Sequence, residues 1–117
     1  MRYLCLIFLD ESTMGALPPD EMHALNAGHL RLNEELRASG HLVEAEALEP
    51  AATAVTVRPR RERTTVIDGP FTESKELVAG FYLIEAADMG EAIGIASRFP
   101  GARHGAVEIR PVRPLPV

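Results

Sequence analysis

The sequence has no tryptophan, a single cysteine and an aromatic content of only 5%. One thiol cannot form an internal disulfide, so this is not a disulfide-stapled scaffold and nothing argues for an oxidising compartment. Cys5 lies inside an apolar run, as a buried, inert core residue would. Positive charge is also scarce: 12 basic side chains stand against 17 acidic ones, a net of −5. That is the wrong sign for gripping a nucleic-acid backbone through general electrostatics. No apolar run approaches the ~20 residues of a membrane span. The stretch Tyr3 to Leu9 is barely as long as a signal-peptide core, has no small-residue cleavage site and runs into Asp10-Glu11. It reads as a first β-strand, and the chain as a soluble cytoplasmic protein without a membrane partner.

What is present suits a single domain over residues 1–117. The chain is 46% hydrophobic, and a domain of this size buries roughly 65% of its unfolded surface without staples. That fraction excludes a disordered chain. Tyr3 to Leu9 is apolar at every position, which suits a strand buried on both faces. Met14 to Pro19 reads as a loop. A helix should run from Pro19 to Ser39, with proline tolerated in its first turn and Gly40 as its stop. Met22, Leu25, Leu32 and Leu36 form one face of that helix, and His29 fills the gap in the stripe.

Leu42 to Leu48 reads as a second strand. Thr53 to Val57 and Thr64 to Ile67 are β-branched runs flanking an arginine-rich hairpin tip. Asp68-Gly69-Pro70-Phe71 is a turn signal. Leu77 to Ala86 is the longest strand. Asp88-Met89-Gly90-Glu91 has the form of a capping box and opens a second helix with an apolar face of Ala92, Ile93, Ala96 and Phe99. Ala106 to Val112 is the last strand. The order β-α-β, hairpin, β-α-β is an α+β, ferredoxin-like arrangement. Right-handed crossovers put both helices on one sheet face. Both faces of the first and the long strand are apolar, yet two helices cover only one. The remedy is a homodimer packed through the helix-free face.

Several residues could carry chemistry. His29 is either a core histidine bonded to the backbone or a general acid/base at a pocket between helix and sheet. Asp68 either caps its own turn or orients His29. Glu73 and Lys75 lie in a polar loop that could contact substrate. Tyr82, mid-strand, needs a partner for its hydroxyl if buried. Arg58, Arg60, Arg61 and Arg63 form the one basic cluster, a solvated tip or a docking point for an acidic partner. The four histidines do not have metal-site spacing: His23 and His29 are six apart, on different helix faces. No glycine-rich phosphate loop or Gly-x-Ser-x-Gly is present, so no cofactor is expected.

The run Asp68-Gly69-Pro70-Phe71-Thr72-Glu73-Ser74-Lys75-Glu76, with Gly80-Phe81-Tyr82 after it, resembles the signature of the DGPF branch of the YCII-related family. The likeness continues in His29 to Leu36, in Leu48-Glu49-Pro50 and in Val107 to Pro111, and so spans nearly the whole chain. It implies a dimeric α+β barrel and a pocket holding a histidine and an aspartate, matched here by His29 and Asp68. A related branch includes a dehydrochlorinase acting on a chlorinated hydroxyquinol. Other DGPF proteins accompany extracytoplasmic-function sigma factors. One departure stands out: the segment after the second helix reads Arg98-Phe99-Pro100-Gly101, without the acid of the related branch. Two functional expectations follow. One is a cofactor-independent enzyme using His29 and Asp68 on a small aromatic acid or phenol. The other is a non-catalytic sensor or partner module of a sigma-factor system.

Overall fold

The computed structural model describes residues 1–116. β1 (Arg2–Leu9) leads into a short helix α1 (Glu11–Gly15) and the long helix α2 (Pro19–Ala38). β2 (Leu42–Ala47) follows. A 3-10 turn at Ala51–Thr53 then opens the hairpin of β3 (Val55–Arg58) and β4 (Thr65–Asp68). β5 (Leu77–Glu85), α3 (Met89–Ala96), a second 3-10 turn at Pro100–His104 and β6 (Gly105–Pro111) complete it. Four strands form an antiparallel sheet in the order β2-β5-β1-β6, while β3 and β4 pair only with each other. This is α+β with the strand order of a ferredoxin-like sheet. The N-terminal apolar run is a central strand of it. No helix is long and apolar enough to cross a membrane among the described residues.

One sheet face carries the core. Tyr3, Cys5, Ile7 and Leu9 of β1 and Tyr82 and Ile84 of β5 are buried together with Leu32 and Leu36 of α2 and Ala92, Ile95 and Ala96 of α3. Both helices therefore cover the same face. Cys5 sits fully inside, and burial pushes its thiol up to about 11. The other face is helix-free. There the register lines up Glu46, Phe81, Leu6 and Glu108 in one row and Glu44, Leu83, Leu4 and Arg110 in the next. Each row is apolar in the two central strands and charged at the edges.

Two local expectations needed correction. Met14 is not in a loop but in α1, because the Asp10 carboxylate accepts from the Ser12 N–H at 3.0 Å and from its hydroxyl at 2.7 Å. A capping carboxylate of this kind satisfies a free amide of the first turn. In α3 the buried face is Ala92, Ile95 and Ala96, and Ile93 is 53% exposed. The helix ends at Ala96, so Phe99 packs from the following turn, stacked on Tyr82 with ring centroids 4.0 Å apart. The Asp88 carboxylate caps this helix, accepting from the Glu91 N–H at 2.9 Å.

The hairpin stands away from the sheet. The radius of gyration is 16.2 Å and the body is flat, 48 × 46 × 19 Å. A compact chain of this length would have a radius of about 13 Å. Val55, Val57, Val66 and Ile67 are each more than half exposed along the arm. Gly69, at φ +104°, makes the bend at its base, a conformation that the Asp-Gly sequence supplies without strain.

Candidate functional site

Between α2, the helix-side sheet face and residues 47–50 lies a cavity of about 690 Å³. Its walls are mostly apolar, including Ile7, Leu9, Met22, Leu25 and Ala79. Its polar end is built by three elements. α2 brings His29, β5 brings Tyr82, and the turn after α3 brings Gly101. His29 Nδ1 lies 2.8 Å from the Tyr82 hydroxyl, and the Gly101 N–H donates to His29 Nε2 at 3.1 Å.

These two contacts assign the ring. Nε2 must present a lone pair to the Gly101 N–H, so the proton of the neutral imidazole sits on Nδ1. Nδ1–H then donates to the Tyr82 oxygen. The Tyr82 hydroxyl keeps its own proton to donate elsewhere. Burial favours the uncharged state of both groups. It lowers the pKa of His29 below its ordinary 6.5 and pushes that of Tyr82 up to about 12. At neutral pH the pair is an uncharged relay ending in a phenolic donor.

The geometry depends on a close approach. An added Cβ on Gly28 of α2 would lie 3.1 Å from Pro100 Cγ, a tight contact that glycine avoids where the helix meets the Pro100 turn. An added Cβ on Gly101 would lie 3.2 Å from His29 Nε2. We expect Gly101→Ala to push the imidazole off its place and to cost about 1–2 kcal/mol. Urea unfolding of the variant measures this. A stability equal to the parent's would show that the Gly101–His29 contact carries nothing.

The structure brings His29 and Tyr82 together and leaves the other expected site residues elsewhere. Asp68 is exposed at the end of β4, opposite Val55, and is not among the cavity's walls. Neither ring nitrogen of His29 bonds to it, since Tyr82 and Gly101 hold both. Glu73 and Lys75 are exposed in the loop after the hairpin, also outside the walls. The Asp10 carboxyl is held low first by the Ser12 hydroxyl, and the Lys75 charge adds to this. Arg58 lies over the Phe71 ring at 4.7 Å, while Arg60, Arg61 and Arg63 are exposed at the arm's tip. The segment Arg98–Gly101, which lacks an acid, meets His29 through a backbone N–H instead.

Asn33 is the residue that sequence reasoning missed. It lines the cavity, and its Oδ1 is buried without a hydrogen-bond partner. Asn26, His29 and Asn33 recur at helical spacing three and four apart. That polar line beside the leucine stripe was a usable signal. Among the described residues, no three His, Cys, Asp or Glu side chains gather as metal ligands.

A model of the YCII-related domain family matches residues 1–116. A protein of Rhizobium meliloti (strain 1021), described as uncharacterized, is 33% identical over 114 residues, 96% of this chain and 92% of that protein.

Proposed function

The chain belongs to the YCII-related domain family, and from that premise and the site's geometry we propose that it is a small-molecule pocket protein whose polar contact is the Tyr82 hydroxyl. His29 is the positioning residue. The observation that carries this reading is the relay from Gly101 through His29 to Tyr82, ending at an apolar cavity of about 690 Å³. Cavities of a few hundred Å³ with sparse, convergent polar groups are the usual form of ligand sites. Acid/base chemistry here would run through the Tyr82 proton rather than a His29–Asp68 pair, because both His29 nitrogens are already engaged.

Leu25, half-buried on α2, lines the cavity. Leu25→Trp should fill it. Toluene titrated into the parent protein should shift the NMR methyl signals of the lining residues, and the same titration should leave Leu25→Trp unmoved. Equal shifts in both proteins would place toluene elsewhere and remove the reading.

We further propose that the partner is a second copy, joined through the helix-free face. The rows with Leu4, Leu6, Phe81 and Leu83 at the centre and charges at the rim have the layout of an interface. The arm supports the same partner. An isolated two-stranded sheet is marginal in water, and this one exposes valines along its length. Residues 55–68 carry four arginines against Glu62 and Asp68, a net of +2, which leaves −7 on the rest of a chain whose total is −5. A basic arm thus faces an acidic body on a second copy.

A further inference from the structure

We infer that the mouth of the cavity is the docking surface for the arm of a second copy, so that each site is completed by its partner. This rests on the second-copy reading above and deepens it by saying where the arm lies.

The cavity of one chain is an incomplete enclosure. Leu30 of α2 and Leu48 after β2 are among its walls, yet each is half or more exposed. They mark an opening between the helix and residues 48–50. Ligand sites usually bury most of a ligand's surface, and apolar wall left in water is surface that a partner gains by covering.

The arm carries a matching surface. Its register pairs Val57 with Val66 and Val55 with Asp68. Positions two apart share one face of a strand, so Val55, Val57 and Val66 form an apolar stripe. The stripe leads to a tip holding Arg60, Arg61 and Arg63, all exposed. None of residues 55–71 is among the walls of the chain's own cavity. In a single chain both surfaces therefore stand uncovered.

Charge fixes the match. From Tyr3 to Leu30 the chain holds Asp10, Glu11, Asp20 and Glu21 and no lysine or arginine. This stretch builds α1 and the start of α2, which bring Glu11, Met14 and Met22 to the cavity. Glu49 lies among the walls as well, two positions from the Ala51 N–H that Glu11 accepts from at 2.7 Å. Elsewhere acids have their cations: Arg98 pairs with Glu35, and Arg2 and the N-terminal amine with Glu85. Lys75 acts on Asp10, but among the described residues neither Glu11 nor Glu49 has an ion-pair partner. The valine stripe laid on Leu30 and Leu48 sets the arginine tip against these carboxylates, and complementary charge of this kind fixes register.

Cross-linking tests this. Arg61→Cys chains are co-expressed with either Leu30→Cys or Glu49→Cys chains and treated with a short bis-maleimide. Each chain carries one engineered thiol, so a link between the two positions joins two chains by construction. Cys5 stays out of the reaction, because it is buried and its thiol is pushed up to about 11. Mass spectrometry of the digest should find position 61 joined to position 30 or 49. Arg60→Glu with Arg63→Glu on the arm chain should cut the yield at least roughly threefold. No such link in a parent that sediments as a dimer, or a yield untouched by the charge reversal, would overturn the inference and leave the second-copy reading standing. A parent that sediments as a monomer would remove both.

Discussion

Leu6→Lys should turn a dimer into monomers that remain folded. Leu6 lies on the second strand from one edge of the sheet, between Phe81 and Glu108, on the face the helices leave bare. In a two-fold pairing of these faces it sits near the centre, where a lysine would lose its water without gaining a partner. A desolvated, unpaired charge at an interface centre costs several kcal/mol, enough to move a micromolar dissociation constant past millimolar. The fold should survive, because the core is on the other side of the strand, where Cys5 and Ile7 are buried. Sedimentation velocity reads the mass, and circular dichroism reads the fold. A parent chain that sediments as a monomer at micromolar concentration would sink the proposal before any variant is made.

The second large effect concerns pH. Burial holds His29 below its ordinary pKa of 6.5 in the folded chain. The unfolded chain therefore takes up this proton first as pH falls. Stability should be fully present above about pH 6.5 and should decline as pH drops from there through the lower folded value. The steepest slope from one such group is about 1.4 kcal/mol per pH unit. His29→Leu separates this from other titrations. At pH 7 the variant leaves the buried Gly101 N–H unpaired and should be about 1–3 kcal/mol less stable. As pH falls below about 6.5 the gap between the two should narrow. Denaturant unfolding of both proteins across that range is the measurement. A gap that stays constant with pH would mean that His29 does not titrate with folding.

Much of the fold was legible because its causes are local. The unbroken apolar run of β1 announced a strand, and the structure buries one of its faces, Tyr3, Cys5, Ile7 and Leu9. Proline at the start of α2 and Gly40 at φ +82° after its end framed a helix seen within a residue of its bounds. Asp88 opened α3 as a capping residue should. Where local cues were balanced, packing decided. Ile93 and Ile95 are both good core residues, and only the angle at which α3 lies on the sheet buries the second and exposes the first.

The site divides in the same way. Helical spacing alone put His29 on the inner face of α2, and the same spacing contains Asn26 and Asn33 for a reader who follows the polar line. No spacing in the sequence brings Asp68 to His29; that pairing came with the family resemblance, and Asp68 lies exposed at the end of β4.

The opening scarcities were decided by the chain itself. A single thiol, few aromatics and a deficit of positive charge follow from composition, and they exclude stapled scaffolds and general nucleic-acid grips whatever the fold. What the sequence could not decide is who holds His29. Its partners lie 53 and 72 positions away, and a hydrogen bond between distant segments exists only where packing brings backbones within about 3 Å. Gly28 leaves room for Pro100 at that approach. Only tertiary packing determines that this histidine is buried between a backbone N–H and a tyrosine, to whose oxygen its Nδ1–H donates a hydrogen bond.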